Sequence, residues 1–281
     1  MAPFVLCSYN VLADSYVKPS YFPLVAPALL QPAPRQAALC AQLRALDADV
    51  YCLQEVEPPA FAAFAATLEP LGYVGHFAPK GAGRPDGCAL FVRQAVLTVH
   101  AVTRVAYRDG QGAPDSGHVA QVLTATLLAP PHPAPEPRQA ATTLVIVNSH
   151  LRWTPAGGDR AVQQRQVALL LEAALAAPAA ARVLCGDFNL VPTDELLAPL
   201  HAAGLRSIWA DEVQSTCCAN GHVKCVDHVF YSQGLQAQVE RLPLLTPQRP
   251  IPAPGQPSDH LPLRVALQCL PAEALPRQDA G

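Results

Sequence analysis

The sequence predicts an α/β fold in which β-sheets pack against each other with helices outside, in one domain. Strand patterns alternate with helical patterns early in the chain, follow one another in the middle, and alternate with helices again later. The 281 residues suit one large domain, and 51% of them are hydrophobic, which is enough for a sizeable core. Residues 35–55 and 159–189 also share one order: helix, apolar strand, then a carboxylate at the strand end.

The first 107 residues predict four strands and two helices. Leu39, Leu43 and Leu46 recur at helical spacing, and the second helix begins with prolines in its first turn. The five prolines of residues 13–34 indicate irregular structure. In chain order, the elements are a strand over 4–11, a helix over 35–46, a strand over 49–53, a helix over 58–71, and strands over 88–93 and 96–107.

The second half predicts further strands around one long helix. The Pro/Ala-rich residues 129–141 indicate a hairpin loop, because strand signals resume directly after them. Thr193-Asp194-Glu195 predicts the start of a short helix, with a capping residue and early acids. The other elements are strands over 119–128, 143–148, 182–184, 225–231 and 261–267, a helix over 159–177, and a disordered tail over 271–281.

Charge and cysteine content exclude several classes of protein. A net charge of −3 does not indicate a strongly basic surface for duplex nucleic acid. The start of the sequence lacks the pattern of a signal peptide, and no run has the length of a membrane span, so we expect no membrane association. Nine cysteines, an odd number with several in predicted strands, indicate reduced thiols and a cytoplasmic protein.

The most informative feature is Gly186-Asp187-Phe188-Asn189, directly after an apolar strand. Residues two apart on a strand point to the same face, so Asp187 and Asn189 would lie side by side. A carboxylate and a carboxamide there suit a hard cation or a polarised water. Glycine, aspartate and asparagine are also ordinary turn residues, so the pair alone leaves both interpretations open.

Similar polar residues stand at five other strand ends. Six turns would not all supply such chemistry by chance, and carboxylate, amide and water oxygens are the ligands that Mg²⁺ and Mn²⁺ prefer. Histidine adds acid–base chemistry near neutral pH. The strand-end residues are Asn10, Glu55, Asn148 with His150, Asp187 with Asn189, Asp227, and Asp259 with His260.

Five of these segments resemble, in order, the endonuclease/exonuclease/phosphatase superfamily, and the resemblance spans residues 4–267. It implies a deoxyribonuclease I-like fold, a four-layer α/β sandwich of two mainly antiparallel sheets with helices outside, as one catalytic domain over residues 1–270. The segments are Tyr9-Asn10-Val11-Leu12, Leu53-Gln54-Glu55-Val56, Asn148-Ser149-His150-Leu151, Gly186-Asp187-Phe188-Asn189 and Ser258-Asp259-His260.

Three more segments resemble the deadenylase-like branch, which holds the carbon-catabolite-repressor-type deadenylases, nocturnin, the Angel proteins and the 2′,5′-oligoadenylate phosphodiesterase. They are Ser8-Tyr9-Asn10-Val11-Leu12-Ala13-Asp14, Arg84-Pro85-Asp86-Gly87-Cys88-Ala89 and Val226-Asp227-His228-Val229-Phe230-Tyr231-Ser232.

The resemblance also implies a role for each residue. Glu55 would be the main Mg²⁺ ligand, with Asn10 beside it and Asp259 near the metal. Asp187 would orient or deprotonate the attacking water or hold a second metal, and Asn189 would bind the phosphate or that metal. The phosphate would also contact His150, while Asp227 would hold His260, the second essential histidine. On the substrate side, the expected residues are Asp86, Asn148 and Trp153.

The expected function is therefore Mg²⁺-dependent hydrolysis of RNA or oligonucleotide phosphodiesters at the 3′ end, with Mn²⁺ as a possible substitute. One alternative is a phosphatase that acts on a small nucleotide or on a 2′- or 2′,3′-cyclic RNA end. Another is a catalytically silent nucleic-acid-binding module. The cysteines of residues 217–225 could also be interpreted as a zinc site, although they lack paired Cys-x-x-Cys units. Protein partners are unknown from the sequence.

Overall fold

The computed structural model describes residues 3–108, 116–128, 142–158, 160–219 and 221–270. The predicted loop over 129–141, the predicted tail over 271–281 and the predicted helix start at Asp159 lie outside the described residues, as does Asn220 in the cysteine-rich segment.

The described ranges contain fourteen strands and four α-helices. None of these helices has both the length and the apolar character needed to cross a lipid bilayer. The helices are α1 (Pro32–Leu46), α2 (Pro58–Leu68), α3 (Ala161–Ala176) and α4 (Ala198–Ala202). The strands are β1 (Phe4–Asn10), β2 (Val50–Val56), β3 (Tyr73–Pro79), β4 (Gly87–Arg93), β5 (Leu97–Ala106), β6 (Val119–Leu127), β7 (Thr142–His150), β8 (Ala181–Asp187), β9 (Leu205–Ser207), β10 (Cys217–Ala219), β11 (His222–Lys224), β12 (Asp227–Ser232), β13 (Leu235–Val239) and β14 (Leu263–Cys269).

Two six-stranded sheets form the centre of the fold, in the orders β13-β14-β1-β2-β4-β3 and β5-β6-β7-β8-β12-β9. Each sheet has one parallel pair, β1 with β2 and β7 with β8, and its other pairs are antiparallel. Parallel neighbours need a crossover connection, which contains α1 in one sheet and α3 in the other. The helix of each crossover and the strand that follows it form the order of helix, strand and carboxylate that the sequence repeats.

The core lies in three layers between and outside the sheets. The inner faces of both sheets share one apolar cluster, with Phe4 and Leu6 from one and Leu123 and Leu144 from the other. Two further clusters join α3 and α4 to the second sheet, and α1 and α2 to the first. Helices, sheet, sheet and helices give four layers, so the predicted fold class is confirmed.

The differences from the predicted elements lie at ends and edges. Helix α1 begins at Pro32, three residues early, because Pro32 and Pro34 occupy its first turn, where proline is tolerated. The predicted second helix ends at Leu68, and its last three residues form a 3₁₀ turn. Sequence analysis missed five strands, of which β3, β9 and β13 are sheet edges and β10 and β11 form a separate hairpin.

Two glycines allow strands to approach closely near the polar strand ends. A Cβ at Gly186 would lie 1.8 Å from the Ser149 carbonyl oxygen of β7, and Gly186 has a φ of 139°. A Cβ at Gly87 would lie 2.3 Å from the Ala78 oxygen of β3. The glycines of the Gly-Asp-Phe-Asn and Asp-Gly-Cys segments therefore bring Asp187 and Asp86 to their positions.

Candidate active site

The polar strand ends surround one open cavity of about 440 Å³. Seven of the eleven predicted residues line it: Glu55, His150, Trp153, Asp187, Asn189, Asp259 and His260. The other four, Asn10, Asp86, Asn148 and Asp227, are buried. The carboxyl ends of the parallel pairs β1–β2 and β7–β8 carry Asn10, Glu55, His150 and Asp187, so both sheets contribute to the cavity.

Asn10 links the acids that the two sheets contribute. Its Nδ2 donates to Glu55 Oε1 at 3.1 Å and to Asp187 Oδ2 at 3.0 Å. The amide oxygen of Asn10 accepts from Leu12 N, and the amide nitrogen faces the two carboxylates. In this structure the Asn10 amide therefore connects the two acids, and its role as a metal ligand stays a prediction.

Glu55 stands on an irregularity of β2. The pairing with β4 shifts between Leu53 and Val56, and Glu55 has a positive φ of 57°. Its Oε2 accepts from Ala13 N at 3.0 Å. Burial, together with the nearby Asp259 carboxylate, raises the pKa of Glu55, and burial also raises the pKa of Asp259.

His260 is held between two carboxylates. Its Nδ1 lies 2.8 Å from Asp227 Oδ2, and its Nε2 lies 3.7 Å from Asp187 Oδ2. Burial opposes a charge on the ring, but the carboxylates outweigh it and hold the pKa of His260 well above its usual value. The ring is therefore an imidazolium that can donate from both nitrogens.

His150 is in the opposite protonation state. Its Nδ1 meets the Lys80 ammonium at 3.3 Å. Burial, reinforced by the positive charge of Lys80, holds the pKa of His150 well below its usual value, so the ring is neutral. Its Nε2 lies 3.7 Å from Asp187 Oδ2. One cavity thus presents one neutral and one charged imidazole.

Asp187 lies within reach of both histidines. Burial, together with the Asp227 carboxylate, raises the pKa of Asp187 to about 7, although the His260 charge opposes this. Its Oδ1 accepts from Asn189 N at 2.9 Å, which fixes the turn after β8. A carboxylate with a pKa near neutrality can accept a proton at working pH.

The acids fit a divalent cation. Among the described residues, the acidic, histidine and cysteine side chains close enough to share an ion are Asp187, Asp227 and His260. His260 Nδ1 lies 2.8 Å from Asp227 Oδ2, so we interpret this trio as a hydrogen-bonded chain. The half-buried Glu55 and the buried Asp187 and Asp259 remain as carboxylates that line the cavity, and oxygen donors of this kind suit Mg²⁺ or Mn²⁺.

Two residues predicted to bind substrate do not line the cavity. Asn148 is fully buried between the sheets, where its Nδ2 donates to the Leu53 oxygen at 3.0 Å and its Oδ1 accepts from Gln54 Nε2 at 2.8 Å. Asp86 is 1% exposed, and its Oδ2 accepts from Lys80 Nζ at 2.6 Å. Both side chains are therefore occupied within the protein. Trp153 is 61% exposed at the cavity rim.

Sequence analysis missed the cationic lining and, apart from Trp153, the aromatic lining. The chain has three lysines, and two of them, Lys18 and Lys80, line the cavity, which was a usable signal in a lysine-poor sequence. His118 lies 6.1 Å from His150 between ring centroids, in an edge-on arrangement. The remaining missed residues that line the cavity are Leu12, Tyr16, Tyr21, Phe22, Arg84 and Arg152.

The cysteine-rich segment forms the β10–β11 hairpin next to the site. Cys217 forms an isolated antiparallel β-bridge with His260, and Cys218 N donates to the Asp259 carbonyl oxygen at 2.9 Å. Within the described residues, no cysteine belongs to a potential metal cluster. The hairpin therefore supports the backbone of residues 259–260, and the zinc interpretation gains no support.

The sequence matches the Endonuclease/Exonuclease/phosphatase family over residues 7–260. The chain belongs to this family. The predicted resemblance is thereby confirmed, as is the predicted class of enzyme, a hydrolase of the phosphodiesterase and nuclease type.

The relatives include members of the deadenylase-like branch. Carbon catabolite repressor protein 4 homolog 4 of Arabidopsis thaliana is 26% identical over 92% of this chain and 76% of its own length. Human 2′,5′-phosphodiesterase 12 is 24% identical over 91% of this chain, which spans half of that protein. The crystal structure of ANGEL2, a 2′,3′-cyclic phosphatase, in complex with adenosine-2′,3′-vanadate aligns with a TM-score of 0.79 at 23% identity, covering 95% of each chain.

Proposed function

We propose that this protein is a Mg²⁺-dependent phosphodiesterase that hydrolyses RNA or oligonucleotides from the 3′ end, with Mn²⁺ as a substitute ion. The observation that carries the proposal is the pair of buried histidines that flank Asp187. Nε2 of His260 and Nε2 of His150 each lie 3.7 Å from Asp187 Oδ2, and the half-buried Glu55 and the buried Asp259 line the same cavity. Groups whose pKa values are pushed apart around one cavity are typical of acid–base catalysis.

The cavity residues have separate roles in this proposal, except that Asp187 has two. Asp187 orients the attacking water and takes its proton, because its pKa lies near neutrality. The His260 imidazolium, held by Asp227, donates a hydrogen bond to the phosphate as negative charge develops there. Glu55 and Asp259, with Asp187, would hold the divalent ion. When bound, that ion supplies charge neutralisation at the phosphate.

The size and walls of the cavity favour a terminal nucleotide over a continuous strand. Tyr21, Phe22 and Trp153 line it with the acids, and aromatic side chains of this kind stack on bases. The same feature supports a second candidate, hydrolysis of a 2′- or 2′,3′-cyclic phosphate at an RNA end. Both reactions place one terminal nucleotide in the cavity.

One assay separates the two candidates. The purified protein is incubated with 5′-labelled oligo(A), a mixed-sequence RNA, and RNAs that bear a 2′-phosphate or a 2′,3′-cyclic phosphate. A ladder of shortened products supports the exonuclease, and unchanged length with a lost or opened phosphate supports the phosphatase. Binding of all these RNAs without any product would refute both and would favour a silent binding module.

We also propose a cytoplasmic location. All nine cysteines are free thiols, and eight of them are buried. A thiol-rich protein without disulfides suits a reducing compartment.

A further inference from the structure

A buried arginine lies near the start of α1, behind the residues that line the cavity. Arg35 is 4% exposed, and it is the only buried arginine among the residues that the structure describes. Its side chain does not line the cavity. Arginine is almost never fully buried unless its donors are paired, so its partners indicate its role.

The Arg35 guanidinium joins two loops of the site. We call residues 11–14, which follow the first strand, the β1 loop, and residues 257–260, which lead towards the last strand, the β14 loop. Arg35 Nη1 donates to the Val11 carbonyl oxygen of the β1 loop at 2.8 Å. The same nitrogen donates to the Pro257 carbonyl oxygen of the β14 loop at 3.4 Å. One side chain thus connects the two loops.

Each loop is linked to a carboxylate that lines the cavity. In the β1 loop, Ala13 N donates to Glu55 Oε2 at 3.0 Å, and the Asp14 carboxylate accepts from Arg35 Nη2. The β14 loop contains Asp259 itself. The position of Glu55 relative to Asp259 therefore depends on how the two loops are held together.

A second contact holds the β14 loop to the end of β1. Ser258 Oγ donates to the Asn10 carbonyl oxygen at 2.7 Å and accepts from His260 N at 3.2 Å. A single contact would leave the loop free to rotate, whereas two contacts at different points fix its orientation as well. Arg35 supplies the contact at the start of the loop.

We propose that Arg35 is a positioning residue that holds Glu55 and Asp259 at their mutual distance and so sets the affinity of the cavity for a divalent ion. Burying a charged group costs solvation energy that its contacts often fail to recover, so stability alone explains this arginine poorly. Replacing a residue that orients metal ligands typically costs about 10–100-fold in metal affinity or activity. The effect on the ion rests on the proposed function, whereas the link between the loops does not.

Hydrogen exchange of the full chain, measured by mass spectrometry, tests this link without any ion. Arg35→Met should accelerate exchange about 5–10-fold in the β1 and β14 loops, while strands β7 and β8 keep their wild-type rates. Arg35→Lys keeps the charge but replaces two Nη groups with one ammonium, so it should behave in the same way and serves as the test if Arg35→Met does not fold. Arg44→Met, an exposed arginine on the same helix, is the control and should keep wild-type rates.

Electron paramagnetic resonance of Mn²⁺ measures the consequence for the ion. Arg35→Met and Arg35→Lys should bind Mn²⁺ about 10–100-fold more weakly than the wild type, and Arg44→Met should bind it equally well. In kinetics, the Mn²⁺ concentration that gives the half-maximal rate should rise by the same factor. At saturating Mn²⁺, the KM for RNA should change little, because Arg35 does not line the cavity.

Three results would overturn the proposal: wild-type exchange in both loops of a folded variant, wild-type Mn²⁺ affinity in a variant whose loops exchange faster, or faster exchange throughout the core. If neither variant folds, Arg35 is required for the whole fold, and the proposal is wrong. If the wild type itself binds no Mn²⁺, the proposed function fails together with the effect on the ion, while exchange still decides whether Arg35 links the loops.

Discussion

Replacing Asn148 with alanine distinguishes a structural role from substrate binding. Asn148 is fully buried and connects the sheets through hydrogen bonds to the Leu53 oxygen at 3.0 Å, the Ala89 oxygen at 3.1 Å and Gln54 Nε2 at 2.8 Å. Each such bond contributes about 1 kcal/mol net. The variant should therefore lose about 3 kcal/mol of unfolding free energy, while the folded fraction keeps its KM.

Urea denaturation followed by circular dichroism measures this loss as a lower midpoint at an unchanged slope. Gln164→Ala, an exposed polar side chain on α3, is the matched control and should change the midpoint little. A fully stable Asn148→Ala protein with a raised KM would refute the reasoning, because it would place the amide on the substrate as the sequence motif first predicted.

Three further predictions follow from the charges of the site. Asp227→Asn should lower kcat by about 10²–10⁴-fold with little change in KM, because an amide cannot hold His260 as an imidazolium; an unchanged rate in steady-state kinetics would contradict this. A chelator should abolish hydrolysis, and in melting curves added Mg²⁺ should stabilise the protein more at pH 8 than at pH 6. The pKa of Asp187 is raised to about 7 from an unfolded value of 3.8, so its contribution to folding stability is complete below pH 3.8 and is lost as pH rises through 7. Above pH 7 the bound cation offsets the charge of the Asp187 carboxylate. Equal stabilisation by Mg²⁺ at both pH values would contradict this prediction. Burial lowers the pKa of His118 to about 3 and of His228 to about 4, from an unfolded value of 6.5. Their contribution to folding stability is therefore present above pH 6.5 and is lost as pH falls below 6.5. Together they should remove about 4–5 kcal/mol of unfolding free energy between pH 6.5 and 4.5 in urea titrations, and a flat profile would exclude two buried neutral rings.

The sequence predicted the acid wall because its residues follow buried strands. Asp187 is the last residue of β8 and Glu55 the last but one of β2, each the second strand of a parallel pair, and the carboxyl ends of such strands lie at one edge. Strand periodicity could not separate Asn148 from His150, since both point to the same face of β7. Asn148 lies beneath the opposite sheet, whereas His150, roughly 7 Å further along the strand, reaches the cavity.

Lys80 escaped prediction for a different reason. Lys80 follows β3, an edge strand that lacks an apolar run. The β3–β4 hairpin brings Lys80 into contact with Asp86 and with His150. Such a contact is set by tertiary packing, and local sequence pattern carries no record of it. The Asp-Gly-Cys segment indicated that Asp86 matters, but only the packed hairpin identifies Lys80 as its partner.

We propose that the acids and the charged histidine around this cavity hydrolyse a phosphodiester. The most direct test is the Mg²⁺-dependent turnover of 5′-labelled oligo(A) by wild type, Glu55→Ala and His260→Ala, with folding checked by circular dichroism. We expect turnover by the wild type and a loss of about 10²–10⁴-fold or more in each folded variant. Wild-type turnover in either variant would contradict the assignment of the site.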